Sequence, residues 1–479
     1  MSRLPIIDAL QQYKEREMDY YATPGHKMGR AFMTTEVGKK IISNMVEYDI
    51  TEVEGMDNLH NPNGIIRKSQ EFLSEYYGSE KSYYLVNGST SGNLIMIFSV
   101  FNEYDKIIVE RNCHKSICNA IMLRKLKPIY VNNKMSCEYN APFSVDREHL
   151  FDLIKKNTDV KGIVLTYPNY YGICADLEDI VKEAKKYGIK ILIDSAHGAH
   201  LGICDELPCS AVSLGCDIVV NSAHKTLPSL TQTAYLHINN KALIEKVEFY
   251  MKIFSTTSPS YLFLATMEYS RFYLETYGKN DYHKLINKCE EFRKKIDELK
   301  FYHIINENDV VEKKIKGKTL IDKTRYVINV PFGYSANKLA EYLRLNSIQV
   351  EMADNRNVIL IFSPVNDEAD FLRLYEVLKK WPESQLKDNS NINIDYTIPK
   401  MKYLPWQTER IKTCTCDIDQ GVNKICGQSI IPYPPGVPII MPGEIISDHI
   451  INTIKVCIKN RIEVIGLKDD KLVVLEEEL

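Results

Sequence analysis

The chain has 479 residues, 44% of them hydrophobic and 26% charged, which is enough for two or three domains with substantial cores. Its 60 basic and 63 acidic residues leave a net charge of only -3, which argues against nucleic acid or a membrane surface as a main partner. The N-terminus lacks the apolar core of a signal peptide, no apolar run is long enough to span a bilayer, and the 12 cysteines are scattered, so we expect a cytoplasmic protein with reduced thiols.

Strands and helices alternate through the first half of the chain. A helix is predicted over 177–187, because apolar residues recur there at i, i+3, i+4 and i+7 from Leu177. Strands joined by helices form βαβ units, so the sequence predicts an α/β fold with a mostly parallel sheet covered by helices on both faces. Apolar runs predict its strands at 83–86, 106–110, 129–131, 162–165, 190–194 and 217–220.

After about residue 280 the pattern changes to that of a smaller α+β domain. A charged helix is predicted over 282–299 and an amphipathic helix over 336–345, with strands at 325–330, 348–352 and 358–362. A polar segment, 385–393, suggests a linker, and a Pro-rich turn, 432–438, lies in the last unit. We therefore expect an N-terminal segment (1–50), a large domain (51–280), a small α+β domain (281–385) and a C-terminal domain (386–479).

A turn rich in small and hydroxyl-bearing residues, 87–93, follows the strand 83–86 and precedes an apolar helical run. Ser89, Thr90 and Ser91 could donate hydrogen bonds to a phosphate, which the amides and dipole of the helix N-terminus would also attract. The same residue types also serve as ordinary helix caps, so the turn alone does not establish a phosphate site.

Two strand ends carry residues that indicate a specific cofactor. The strand 190–194 ends at Asp194, and Lys225 lies just after the strand 217–220. Many enzymes hold pyridoxal 5'-phosphate (PLP) in this way: the lysine forms a Schiff base, and the carboxylate pairs with the protonated pyridine nitrogen. Beside this pair, the turn 87–93 becomes the expected phosphate site, and Ser222 and His224 could reach the phosphate from the other side.

His114 follows the strand that ends at Glu110. Its ring could lie over one face of the pyridine and fix the plane of the cofactor. A structural histidine, hydrogen-bonded at a strand end, is the competing interpretation.

Three cysteines near the C-terminus, Cys414, Cys416 and Cys426, are the candidate metal ligands of the chain. No further Cys or His lies near them at the spacing of a zinc finger, so we expect no metal site.

Several segments, in chain order, resemble the Orn/Lys/Arg decarboxylases, and in particular the short bacterial members of that family. Members of this family are PLP enzymes with the aspartate-aminotransferase fold (PLP fold type I). The matching segments cover most of the chain and are residues 23–29, 57–64, 87–93, 112–116, 194–198, 222–225, 255–261, 433–438 and 441–444.

The resemblance implies roles for individual residues. Lys225 would be the Schiff-base lysine, Asp194 the pyridinium partner and His114 the stacking residue. Ser258 would be supplied to the phosphate by the neighbouring subunit, so a homodimer would be the smallest active unit of any larger homo-oligomer. His197 stands where some larger members carry Trp, so the lining near the ring edge would differ. The phosphate itself would be held by Thr90, Ser91, Ser222 and His224.

The implied reaction is decarboxylation of a basic amino acid. We favour L-arginine, giving agmatine for polyamine synthesis, because short bacterial members are often biosynthetic arginine decarboxylases; lysine and ornithine remain alternatives. Glu444 and Asp354 are candidate partners for the distal cation of the substrate, although either could be a capping or surface carboxylate. Lys225 or His224 would return a proton to Cα.

Three other interpretations compete with this one. An aminotransferase or aldolase of the same fold would share Lys225 and Asp194, but the family segments at both ends of the chain argue against it. A catalytically inactive regulator would not need the lysine and the aspartate, and both are intact. No charge or ligand pattern supports a module that binds metal or nucleic acid.

Overall fold

The structure is a computed structural model that describes residues 3–310, 320–381, 384, 387, 397–433, 438–459 and 462–476. Most of the predicted linker 385–393, and residues 434–437 of the Pro-rich turn, lie outside the described residues. None of the helices within the described ranges is both long and apolar enough to span a bilayer.

The strands of the chain are numbered here in order. The first ten are β1 Asp19–Tyr21, β2 Lys81–Leu85, β3 Lys106–Glu110, β4 Lys127–Val131, β5 Asn133–Ser136, β6 Ala141–Val145, β7 Gly162–Thr166, β8 Lys190–Asp194, β9 Ile218–Asn221 and β10 Ala234–Ile238. The other nine are β11 His303–Ile304, β12 Arg325–Asn329, β13 Ile348–Val350, β14 Met352–Ala353, β15 Asn357–Ile361, β16 Thr413–Cys416, β17 Ile431–Tyr433, β18 Glu463–Ile465 and β19 Leu472–Leu475.

The α-helices are numbered in the same way. They are α1 Pro5–Glu15, α2 Glu36–Ser43, α3 Ile65–Tyr77, α4 Gly88–Val100, α5 Lys115–Leu123, α6 Arg147–Lys156, α7 Leu177–Lys186, α8 Ala223–Thr226, α9 Ile244–Phe254, α10 Tyr261–Tyr273, α11 Lys279–Glu298, α12 Glu307–Val310, α13 Ala336–Leu345, α14 Glu368–Lys379 and α15 Asp448–Lys459.

A seven-stranded sheet forms the centre of the large domain, in the order β2-β10-β9-β8-β7-β3-β4. The prediction of a mostly parallel sheet is confirmed, because only β10 runs antiparallel to its neighbours. Alternate residues of β8 belong to different apolar clusters: Ile191 and Ile193 to one, Leu192 to the other. Both faces of the sheet are therefore covered, as a buried parallel sheet requires.

The small domain is built on a four-stranded sheet of order β11-β12-β15-β14. The strand β1 pairs in parallel with β13, with Asp19 opposite Ile348, so the N-terminal segment is attached to this domain. The C-terminal part contains two small antiparallel sheets, β16-β19 and β17-β18, and helix α15. Its core is a cluster of buried isoleucines and cysteines that includes Cys416 and Cys426.

The topology places the carboxyl ends of six strands at one edge of the large sheet, and four of these ends precede predicted site residues. Strands β2, β3, β8 and β9 all run in the same direction, so their carboxyl ends meet there. This is the edge at which open α/β sheets bind their ligands.

Candidate active site

The sequence-predicted residues converge at this edge. Helix α4 begins just after β2, His114 follows β3, Asp194 closes β8, and Lys225 lies in α8 after β9. Lys225 is largely buried, and burial lowers the pKa of its amine, although the nearby Asp194 carboxylate opposes that shift. A lysine with a lowered pKa has a larger fraction of neutral, nucleophilic amine.

Asp194 is 3% exposed and held by two hydrogen bonds. Its Oδ2 accepts from Asn93 Nδ2 at 2.8 Å, and its Oδ1 accepts from the backbone amide of Ala196 at 3.1 Å. Asn93 also donates to Ser116 Oγ at 2.9 Å, and this hydroxyl lies 2.8 Å from Nδ1 of His114. A single polar network therefore orients the carboxylate and the predicted stacking histidine.

His114 is the N-cap of α5, and its Nδ1 accepts from the amide of Ser116 at 3.2 Å. The residue remains exposed although one ring nitrogen is anchored. Desolvation of the imidazole by the protein around it is the largest cause of a lowered pKa, so the neutral ring is favoured. An anchored, exposed and neutral ring is suited to stacking on an aromatic cofactor.

The hydroxyl-rich turn lies at the N-terminus of the 13-residue helix α4. Ser222 donates to Ser89 Oγ at 2.8 Å, so the segments around α4 and Lys225 are joined directly. Thr90 is exposed, whereas the hydroxyl of Ser91 donates to the carbonyl of Gly88 at 2.8 Å. The amides, the helix dipole and the hydroxyls of Ser89 and Thr90 could thus hold an anion, whereas the hydroxyl of Ser91 has an internal partner.

These residues fit PLP by the chemistry of the groups present. The Asp194 carboxylate is buried, yet no cationic side chain lies within hydrogen-bond distance of it among the described residues. A buried carboxylate without a cation is costly, and a protonated pyridine nitrogen would supply one. The lysine, the exposed His114 ring and the anion site at α4 match the other parts of the cofactor.

His224 and Ser258 lie at the margins of the site. The Nδ1 of His224 donates to the carbonyl of Thr233 at 2.8 Å, so in the neutral ring the proton is on Nδ1. Ser258 is exposed, in a segment whose Thr256 amide donates to Oδ1 of Asn87 at 2.9 Å. The segment therefore lies next to the start of α4 in its own subunit, with the Ser258 hydroxyl accessible from outside.

The segment 23–29 packs directly on the loop that carries Lys225. The amide of Gly25 donates to the carbonyl of His224 at 2.7 Å. A Cβ at Gly25 would lie 2.5 Å from the carbonyl carbon of Thr226, so only glycine allows this approach. The N-terminal segment thus packs against the loop that carries the predicted cofactor lysine.

The two carboxylates predicted to contact the substrate cation have other partners. Glu444 is fully buried and forms a bidentate ion pair with Arg111, at 2.6 and 2.8 Å, that joins the large and C-terminal domains. Asp354 accepts from the hydroxyl of Tyr171 at 2.5 Å and from Asn357. Since both carboxylates are buried and hydrogen-bonded within the protein, the structure does not support them as cation sites.

Sequence reasoning missed two charged residues that act on the Lys225 amine, Arg325 and Glu351. Glu351 accepts from the hydroxyl of Tyr170 at 2.5 Å and from the amide of Thr23 at 2.8 Å. Asn93 lies in the predicted turn 87–93 but was given no role; its position as the last polar residue before the apolar run of α4 could have marked it. No comparable local signal marks Arg325 or Glu351, which lie in the small domain.

The predicted absence of a metal site concerned Cys414, Cys416 and Cys426. Cys414 is exposed, whereas Cys416 and Cys426 are buried. Within the described residues, no three His, Cys, Asp or Glu side chains form a group that could hold a metal ion.

Comparison with known proteins supports the same chemistry. Residues 4–370 match the family model described as Orn/Lys/Arg decarboxylase, major domain, and residues 399–468 match the C-terminal domain of that family. The protein YaaO of Bacillus subtilis is 33% identical over 99% of both chains. The arginine decarboxylase of B. subtilis is 30% identical, over 94% of this chain and 92% of that protein. The constitutive lysine decarboxylase of Escherichia coli has the same fold, with a TM-score of 0.79 and 20% identity over 98% of this chain and 82% of that one.

Proposed function

Because the chain belongs to the Orn/Lys/Arg decarboxylase family, whose members use PLP, we propose that it converts L-arginine to agmatine and CO₂. The observation that carries the choice of arginine is the 30% identity with an arginine decarboxylase along 94% of the chain. The constitutive lysine decarboxylase of E. coli is 22% identical over 92% of this chain. Agmatine is a precursor of polyamines, so the reaction would be biosynthetic.

PLP supplies the chemistry that no side chain has: a carbonyl that takes up the substrate amine, and a protonated ring that accepts the electron pair left by CO₂. The chain provides the groups that control this chemistry. Asp194 would keep a proton on the ring nitrogen, and the ring of His114 would fix the plane of the cofactor. The amides at the start of α4, with Ser89, Thr90 and Ser222, would bind the phosphate.

Lys225 has two roles in this proposal. Its neutral amine holds the cofactor before the substrate arrives, and it moves the proton at Cα after CO₂ has left. His224 is the weaker candidate for that proton, because its Nδ1 proton is donated to the carbonyl of Thr233. Burial also lowers the pKa of His224, which leaves its Nε2 without a proton at neutral pH.

We propose Glu351 as the anion that attracts the guanidinium of the substrate, in place of Glu444 and Asp354. It acts electrostatically on Lys225 and on the fully buried Lys27, so its charge lies close to the amine that would hold the cofactor. Each of its oxygens accepts hydrogen bonds from Tyr170 or Thr23 and retains further acceptor capacity. A carboxylate oriented in this way suits the planar donors of arginine.

The substrate is tested by measuring CO₂ release from L-arginine, L-lysine and L-ornithine with the same holoenzyme. We expect kcat/KM to favour arginine by about 100-fold or more, because a site that hydrogen-bonds a guanidinium leaves polar groups unpaired around an ammonium. A preference for lysine or ornithine would reject arginine as the substrate and retain the decarboxylase.

The same assay tests Glu351. The substitution Glu351→Gln removes the charge and should raise KM for arginine by roughly 10-fold to 100-fold, the usual loss for a charged hydrogen bond. The control is Glu341→Gln on α13, which should leave KM unchanged because this side chain is 65% exposed. An unchanged KM in Glu351→Gln would exclude Glu351 as the partner of the guanidinium.

We also propose that two subunits complete each site, through Ser258. Mixing a Lys225→Ala chain with a Ser258→Ala chain, under conditions that allow subunits to exchange, should raise activity above the mean of the two variants. In a random mixture half of the dimers are hybrids with one intact site each, so about a quarter of all sites recover. The same mixture without exchange is the control, and no gain after exchange would place Ser258 outside the shared site.

A further inference from the structure

A chain of three buried or largely buried side chains leads from the small domain to the reacting amine. Arg325 Nη2 lies 2.9 Å from Nδ1 of His197, and Nε2 of His197 lies 3.1 Å from Nζ of Lys225. Arg325 and His197 are 2% and 5% exposed. Solvent therefore has little access to either contact, and the proton positions follow from the partners alone.

The direction of each hydrogen bond is set by Arg325. A guanidinium keeps its charge and has donors only, so Nδ1 of His197 must accept. A neutral imidazole carries one proton, which must then be on Nε2. A doubly protonated ring would direct an N–H at the guanidinium, and burial together with the charge of Arg325 holds the pKa of His197 well below its ordinary value.

This arrangement determines the protonation state of Lys225. An ammonium has three donors and no acceptor, so it cannot accept the Nε2 proton of His197. The observed contact is a hydrogen bond only if the lysine is a neutral amine whose lone pair faces His197. The structure thus couples the protonation state of Lys225 to a guanidinium that does not touch it.

We propose that Arg325 is a positioning residue: it selects the Nε2–H tautomer of His197, which keeps Lys225 neutral and orients its lone pair. The proposal rests on the proposed function only in taking Lys225 as the reacting amine. It also gives His197 a role distinct from cofactor contact, since the ring transmits the effect of Arg325. The selection is made by the small domain, because Arg325 begins β12.

Arg325 is itself rigidly held. Its Nη1 donates to the carbonyl of Tyr170 at 2.7 Å, and the ring of Tyr170 meets that of His197 edge-on with centroids 5.0 Å apart. The arginine stem packs on Gly172, where a Cβ would lie 3.0 Å from it. A fixed guanidinium can select one tautomer, whereas a mobile one could not.

Other charged groups also act on Lys225. Burial and Arg325 favour the neutral amine of Lys225, whereas the carboxylates of Asp194 and Glu351 favour the ammonium, so loss of Arg325 should raise the pKa of the amine. The groups around the amine are Asp194, Glu351, Arg325, His114, His197 and His224.

The test is the pH dependence of acetylation of Lys225 by trace acetic anhydride in the full-length chain freed of cofactor, read by mass spectrometry. Only the neutral amine reacts, so the midpoint reports its protonation. In Arg325→Met we expect the midpoint to rise by about one pH unit, so that labelling below the midpoint is about tenfold slower. Arg325→Lys keeps the positive charge and should bring the midpoint part of the way back to that of the wild type. The control is Arg344→Met, an exposed arginine of the same domain.

A second pair of variants keeps the test decisive if Arg325→Met does not fold. Gln at position 197 can accept from Arg325 and donate to Lys225, whereas Met can do neither. We expect His197→Met to raise the labelling midpoint and His197→Gln to keep it near that of the wild type. Equal midpoints in the two variants, or an unshifted midpoint in Arg325→Met, would overturn the proposal. A wild-type enzyme inactive on arginine would count only against the proposed substrate, because labelling needs no turnover.

Discussion

Replacing Lys225 with alanine is expected to abolish CO₂ release, with a fall in kcat on the order of 10⁴-fold or more. No other amine of the described residues occupies its position beside Asp194, His114 and His197. The visible absorbance of the lysine-bound cofactor should disappear with the activity. Both effects are measured on the purified variant, by CO₂ release and by an absorbance spectrum.

The control for this loss is Lys182→Ala, which removes an exposed lysine from α7 and should behave like the wild type. A small primary amine added to Lys225→Ala should restore some turnover, because the missing group is an amine. Full activity and an unchanged spectrum in Lys225→Ala would show that another residue holds the cofactor.

The second large effect is expected for Asp194→Asn, which should retain PLP but slow CO₂ release by about 1,000-fold. The neutral amide cannot hold a proton on the ring nitrogen, so the ring accepts electrons poorly. The fold should tolerate the change. The buried Oδ1 of Asn93 has no hydrogen-bond partner among the described residues, so this oxygen can accept from the new amide at position 194 once the Asn93 side-chain amide has rotated by 180°. Cofactor content and kcat are the two measurements.

The matched variant is Asn93→Ala, which leaves the carboxylate charged and removes one of its hydrogen bonds. We expect a loss of about 10-fold, the usual effect of one hydrogen bond to a charged group. If Asp194→Asn lost no more activity than Asn93→Ala, Asp194 would have a structural role rather than an electronic one.

The sequence alone predicted the central chemistry for a physical reason. The carboxyl ends of strands that run in the same direction meet at one edge of a sheet, so residues that follow predicted strands are expected to be neighbours. Strand β8 is predicted to the residue, and β3 likewise, which places Asp194 and His114 at that edge. The antiparallel strand β10 was missed, but its position does not change which ends carry the site.

The partners of individual charges were decided only by the tertiary structure. Glu444 and Asp354 were plausible partners for a substrate cation, because an acidic residue in a family segment carries no local sign of its partner. The domain packing places Glu444 against Arg111, 333 residues away in the chain, and Asp354 against Tyr171.

The small domain illustrates the same limit. The sequence predicted its α13 to the residue and its main strands nearly so, since both depend on local periodicity. That β1 pairs with β13, and that Arg325 reaches His197, depends on how the domains pack. The sequence by itself therefore determined the fold class and the cofactor, and it predicted Lys225 as the reacting lysine, because these inferences follow from local patterns along the chain and at strand ends. Only the tertiary structure decided which distant charges surround that lysine, because burial and long-range contacts set the partner of each buried charge.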